Sequence, residues 1–256
     1  MMPPDGLDLV ASIRARRARV LETIAMAAAR SNRPASSIRL VVVTKAQPLR
    51  MVQAAIAAGA TLLGENYANE AVGKMQAVGS ARSDSQSTGV EWHMIGHVQH
   101  RKAKLVAQHF ALVHAVDSVH LARRLDAAAQ ERKRKLPVLL QFNVGGEPQK
   151  HGWPASDESS WPHLVTEVGG VADLPALTIR GLMTMPPFFD SPEDSRPFFI
   201  RLRRLQQFMQ AELPNLDWSE LSMGTSADYE VAVEEGATLV RVGQAILGPR
   251  PVMEHT

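Results

Sequence analysis

Apolar positions along this chain change their period many times. Leu9, Val10, Ile13, Val20, Leu21 and Ile24 recur at helical spacing with arginines between them, which predicts an amphipathic helix. After Pro34 the pattern becomes a β-branched run, Ile38 to Thr44, and predicts a buried strand over 38–44. Strand-like and helix-like segments then alternate. Helix 49–59 ends at Gly59, and strand 61–64 leads into helix 67–78. Strand 91–95 precedes helix 99–108, and strand 111–116 precedes helix 118–134, with Asp117-Ser118 as its N-cap. Strand 137–144 ends at Gly145-Gly146, and a weakly patterned helix follows over 159–171. Strand 177–184 runs into Pro186-Pro187. Helix 194–212 then places Phe198, Leu202, Leu205 and Met209 on one face. Strand 219–223, helix 226–235 and strand 238–242 complete the series.

Each predicted strand is followed by a helix except the last, where only a stub fits. Such alternation implies an α/β protein with a parallel sheet. Eight βα units in 256 residues match the size of a (β/α)8 TIM barrel. The expectation is one barrel domain over 1–256, with the extra N-terminal helix packed outside it or across its bottom. An open doubly wound sheet would show a G-x-G-x-x-G turn after an early strand, and the sequence has none. The polar stretch Gly79–Gly89 precedes a strand and reads as a connector on the bottom face.

Composition narrows the chemistry. Hydrophobic residues make up 45% of the chain and there is no cysteine, so disulfides, thiolate metal sites and cysteine nucleophiles are excluded. The N-terminal residues carry no apolar leader, and no uncharged apolar run is long enough to cross a membrane. A cytoplasmic protein without a membrane partner is expected. Net charge is +2, with basic clusters at Arg14, Arg16, Arg17, Arg19 and at Arg132, Lys133, Arg134, Lys135. Blocks this short read as solvated helix faces and ends. No aromatic residues interleave with them as a single-strand binding surface would need, so no nucleic-acid partner is expected.

A barrel places its chemistry at the carboxyl ends of its strands. The residues predicted there are Lys45, Glu65 with Asn66, Gly96 with His97, Asp117, Asn143, Met183 with Thr184, Gly224 with Thr225 and Ser226, and Gly243 with Gln244. A lysine at the end of a buried strand brings an amine to the mouth of a core, where burial favours the neutral form that condenses with an aldehyde. The plainer alternative is a lysine that snorkels out of the strand end. Leu221–Asp228 reads as strand, glycine turn and helix start, which suits a phosphate. Arg241-Val242-Gly243-Gln244 offers a second such turn, and simple N-capping is the alternative for each. The two turns follow the seventh and eighth strands, where barrels often hold phosphate. A lysine on the first strand facing such a cradle suggests pyridoxal 5'-phosphate, whose aldehyde bonds to lysine.

At these residues the sequence resembles the YggS/PROSC family of pyridoxal phosphate homeostasis proteins. The similarity covers nearly the whole chain. It runs through Val41–Pro48, Gly64–Glu70, Glu91–Gly96 with Gln99 and Lys102, and His114–Ser118. It continues through Gln141–Glu147 with Lys150 and Gly152, Arg180–Met185, Leu221–Asp228 and Arg241–Gly248. The resemblance implies a fold-type III barrel related to the alanine racemase N-terminal domain, with the cofactor in a Schiff base on Lys45. It implies that Ser226 and the turn at Gly243 hold the phosphate, that Arg241 faces the pyridine nitrogen, and that Asn66 and His93 lie near the ring. Met223, Gly224, Thr225 and Gln244 complete the implied cofactor-binding set. A permanent cation beside the ring nitrogen disfavours its protonation and weakens the ring as an electron sink. The chain departs from the family at His97, where proline is common, at Thr225, where methionine is common, and at Gln244, where a small hydroxyl residue is common. The backbone N–H of Gln244 can still serve, and the Thr225 hydroxyl is a candidate to compensate.

The implied role is to carry or buffer pyridoxal phosphate, contributing to vitamin B6 and amino-acid homeostasis. Apoenzymes that use the cofactor are the expected recipients, and a monomer is expected. The first alternative is a weak amino-acid racemase. Racemization by two bases needs a second proton carrier, which in alanine racemases is a tyrosine of a C-terminal β domain. Here the tyrosines are Tyr67 and Tyr229, both at helix starts, and the chain ends eight residues after Gly248. A metal hydrolase built on His93, His97 and His100 is the second alternative, but no carboxylate stands at ligand spacing. A binding module using the arginine-rich helix is the third. No catalytic residue and no metal ligand is expected.

Overall fold

The structure, a computed structural model, describes residues 6–79 and 89–249. The expected connector at 79–89 lies outside the described residues except for its two end glycines. Eight barrel strands run in chain order: β1 Arg39–Val43, β2 Leu62–Glu65, β3 Glu91–Met94, β4 Leu112–Val116, β5 Leu136–Asn143, β6 Leu177–Met183, β7 Glu220–Ser222 and β8 Leu239–Val242. Every neighbouring pair is parallel, and β8 pairs with β1 (Val41 opposite Arg241), so the sheet closes. The helices are α1 Gly6–Arg30, α2 Leu49–Ala57, α3 Ala68–Ala77, α4 Ala103–His109, α5 Val119–Glu131, α6 Trp161–Ala172, α7 Arg196–Glu212, α8 Tyr229–Glu234 and the short α9 Gln244–Leu247. This is the predicted (β/α)8 architecture. Helix 99–108 begins with a 3-10 turn over His100–Lys102, and Ser118 caps α5 by accepting from the Leu121 N–H. Trp153–Pro154 pairs with the end of β5 as an unpredicted short strand outside the barrel.

Strand alternation splits the buried side chains into two layers. Val42, Leu63, Trp92, Leu140, Leu182 and Val240 belong to the large cluster formed with the helices, whose contributions include Val52, Ala71, Leu121, Leu164, Leu205 and Val231. Val41, Leu112, Leu139, Met183 and Leu239 form a second, smaller cluster. These are the residues of the opposite pleat, inside the barrel. Most of the hydrophobic stabilisation therefore sits between strands and helices, and the interior has room for polar groups. In β6 the register skips Arg180, so that Leu139 pairs with Gly181. A Cβ at Gly181 (φ +145°) would lie 1.9 Å from the Glu220 carbonyl oxygen, so only glycine permits this approach of β6 to β7.

Helix α1 packs outside the barrel against α2, α8 and α9 through Ile13, Val20 and Ile24. Two of its arginines are tied to the chain: Arg16 donates to the Ile246 carbonyl at 2.6 Å and Arg14 to that of Ala57 at 3.1 Å. In the other basic cluster, Arg134 donates to the carbonyls of Ala107 and Phe110, and Lys135 to that of Pro175. Members of both clusters thus clamp backbone carbonyls. No described helix is long and apolar enough to cross a membrane.

Candidate functional site

A cavity of about 400 Å³ opens at the carboxyl end of the barrel, lined by Lys45, Asn66, Ser226, Arg241, Gly243 and Gln244 among others. Val43, Ile95 and Met183 supply apolar walls. Thr225 also lines it, as do His97 and His151 at the rim. Lys45, Asn66, Arg241 and the two glycine turns, widely separated in sequence, are therefore brought to one place by barrel closure.

Lys45 leads directly into a tight junction. Ala46 adopts a left-handed φ of +56°, a conformation that costs a non-glycine residue about 1 kcal/mol or more. Its N–H donates to Glu70 Oε1 at 2.9 Å. The buried Lys74 ammonium donates to the Thr44 carbonyl at 2.7 Å and to Glu65 Oε1 at 2.7 Å, and also pairs with Glu70. The Thr44 hydroxyl donates to the same Glu65 oxygen at 2.7 Å. Burial raises the Glu65 carboxyl above its ordinary value, and the Lys74 charge opposes that shift. Sequence reasoning missed this network. The signal was Glu70 and Lys74, spaced as neighbours on one helix face, next to a carboxylate at a strand end.

Arg241 is buried, and desolvation pushes its guanidinium down to about 10, with Asp228 opposing. It stays protonated at neutral pH. It donates to Ser222 Oγ at 2.6 Å and to the Thr184 carbonyl at 2.9 Å. The Ser222 hydroxyl lies 2.8 Å from His114 Nδ1, and His114 Nε2 lies 3.0 Å from His93 Nδ1. His93 Nε2 is 3.5 Å from Glu91 Oε2. Arginine can only donate, so Ser222 is free to donate to His114. Each imidazole then carries its proton on Nε2. Burial lowers both histidines below the usual imidazole value, strongly for His114, which fits two neutral rings. The row holds Arg241 in place with neutral acceptors.

His93 consequently does not reach the cavity lining. In β3 the inward positions are Glu91, His93 and then Ile95, and Ile95 is the one that lines the cavity. His93 sits one layer deeper. Met223 is also displaced from its implied place. It follows the inward Ser222, points to the opposite pleat and is fully buried in the strand–helix cluster. Gly224 acts through its backbone. At φ +89° a Cβ there would lie 2.6 Å from Ala232 Cβ, so glycine lets the turn press against α8. Ser226 Oγ accepts from the N–H groups of Gly243 at 3.1 Å and Ala245 at 3.3 Å, which welds the two turns together and leaves its own proton to donate. The Thr225 hydroxyl instead donates to Asp228 Oδ1 at 3.0 Å.

The alternative metal trio of His93, His97 and His100 does not converge. His93 is in the interior, and the His100 ring meets His120 edge-on at 4.4 Å. Tyr67 is exposed beside a separate groove, and Tyr229 packs against the strand–helix core. Among the described residues, the cavity lining offers an amine, a guanidinium, two hydroxyls, two imidazoles and three carboxamides but no carboxylate. That donor set fits an anionic ligand with an electrophilic carbonyl, held between apolar walls.

Comparison with known proteins agrees with this chemistry. The family model of the alanine racemase N-terminal domain matches residues 17–251. A pyridoxal phosphate homeostasis protein of Vibrio alginolyticus is 37% identical over 218 residues, covering 85% of this chain and 89% of that protein. One of Aquifex aeolicus is 35% identical over 235 residues, covering 92% and 97%. The solved structure of PipY from Synechococcus elongatus PCC7942, with PLP bound, superposes with a TM-score of 0.77 at 33% identity, covering 92% of this chain and all of PipY.

Proposed function

This chain belongs to the alanine racemase N-terminal domain family, among its pyridoxal phosphate homeostasis proteins, and we propose that it binds pyridoxal 5'-phosphate through Lys45 and hands it on. The observation that carries the reading is the convergence of Lys45, Arg241 and Ser226 on one cavity without a lining carboxylate. When bound, the cofactor supplies an aldehyde that condenses with a lysine amine. Lys45 is the anchoring amine, at the end of a strand held from behind by Lys74. Ser226, whose hydroxyl keeps a proton to donate, and the turn at Gly243 would hold the phosphate. Val43, Ile95 and Met183, the apolar walls of the cavity, would exclude water from the ring. Asn66 borders the same space and orients what binds there.

Arg241 gives the site its restraint. Its guanidinium, held by Ser222 and the Thr184 carbonyl, would set a fixed positive charge beside the ring nitrogen and disfavour its protonation. Proton abstraction from a bound amino acid is then weakly favoured. Neither tyrosine stands in the cavity to act as a second base. The chain therefore holds the cofactor without turning over amino acids efficiently, and releases it to apoenzymes that use it. Mixing the loaded chain with an apo-transaminase tests this reading. Recovery of transaminase activity, with no racemization of D- or L-alanine by the chain alone, is expected. Retention of the cofactor together with steady racemization would overturn it.

A further inference from the structure

Three side chains from three separate loops meet at the rim of the cavity. His97 follows β3, Asp117 follows β4, and His151 lies in the connection after β5. His97 Nδ1 is 2.9 Å from Asp117 Oδ2, and His151 Nδ1 is 3.8 Å from the same oxygen. One ligand atom from each lies within 4.8 Å of the other two. Ligand atoms about 2.0–2.1 Å from a tetrahedral zinc are about 3.3 Å apart, and the two observed separations fall on either side of that value. The imidazoles stack with centroids 3.8 Å apart and planes 10° apart, so the more exposed His151 has to swing out of the stack for both in-plane nitrogen lone pairs to meet at one ion. Ser118 donates to the other oxygen, Asp117 Oδ1, at 3.2 Å. That contact orients the carboxylate from behind, as outer-shell partners do at metal sites.

We propose that His97, Asp117 and His151 form a binding site for a divalent transition-metal ion of the zinc class. Two imidazoles and one carboxylate, without thiolate, suit zinc, nickel or copper and suit calcium or magnesium poorly. Three protein ligands leave a fourth position for water or for a donor of a bound molecule. Because His97 and His151 also line the cavity of Lys45, the ion ties the β3 and β5 loops together across the opening and slows exchange of its contents. The site itself does not depend on the cofactor reading.

Titration of Zn²⁺ into the metal-free purified protein, with and without pyridoxal phosphate, followed by calorimetry, tests the proposal. One saturable equivalent per chain is expected in both forms. His151→Ala and Asp117→Asn should each weaken binding at least about tenfold, and His100→Ala should leave it unchanged. Both weakened variants should keep the far-ultraviolet circular dichroism of the wild type, since the three side chains sit at the rim. Absence of saturable binding would overturn the proposal, as would full-affinity binding in His151→Ala or Asp117→Asn. Loss in His100→Ala would move the site to the His100–His120 pair and overturn it equally. Failure of the cofactor reading would leave zinc binding intact, so the two claims separate.

Discussion

The ammonium of Lys74 donates to the backbone carbonyl of Thr44 at 2.7 Å, one peptide before Lys45. One buried lysine thus fixes the strand end from which another lysine reaches the cavity. Removing it strands Glu65, which is fully buried. Lys74→Met should therefore cost about 3–5 kcal/mol of stability in urea unfolding, because a buried carboxylate loses its partner. The double variant Lys74→Met/Glu65→Gln should recover part of that loss. Equal stability of single and double variants would contradict the network.

Acid should destabilise the protein through its paired histidines. The folded-state values of His93 and His114 are lowered by burial, so the unfolded chain binds more protons below the ordinary imidazole value of about 6.5. Their contribution is fully present above that pH and is lost as pH falls from it through the folded-state values. Thermal melts between about pH 7 and 5 should show a falling midpoint. His114→Asn should flatten that limb, and an unchanged slope would contradict neutral buried rings.

Much of this was legible in the chain. The β-branched run before Lys45 and the face of Phe198, Leu202, Leu205 and Met209 marked strand and helix at their observed places, because local periodicity reflects burial directly. Lys45, Asn66, Ser226 and Arg241 line the cavity as residues at the carboxyl ends of strands should. Depth and pleat were not legible. His93 lies a layer below the cavity and Met223 faces the helices, since position within a strand is set by register and barrel shear rather than by residue type. The Lys74 network and the His97–Asp117–His151 trio each join distant segments, and only the closed barrel brings them together.

Phosphate contacts should divide unequally between two adjacent hydroxyls. Ser226 Oγ accepts two backbone N–H groups and keeps its proton, whereas the Thr225 proton goes to Asp228. Ser226→Ala should raise the dissociation constant for pyridoxal phosphate about tenfold or more, as loss of a charge-assisted hydrogen bond does. Thr225→Val should change it less than about threefold, which is within the effect of a neutral bond. A larger effect at Thr225 would restore it as the compensating donor.

Gly224→Ala should damage both stability and cofactor retention. Its left-handed φ of +89° and the 2.6 Å approach of a new Cβ to Ala232 should cost about 2–4 kcal/mol. Calorimetric unfolding checks this, and a loss below about 1 kcal/mol would mean that the turn relaxes freely.

The account rests most directly on Lys45 as the anchor. The measurement is the visible absorption spectrum of the purified wild type and of Lys45→Ala, each after addition of pyridoxal phosphate and removal of the excess. A Schiff-base band in the wild type that is absent from the variant is the predicted result. No band in the wild type, or an equal band in both proteins, would contradict the account.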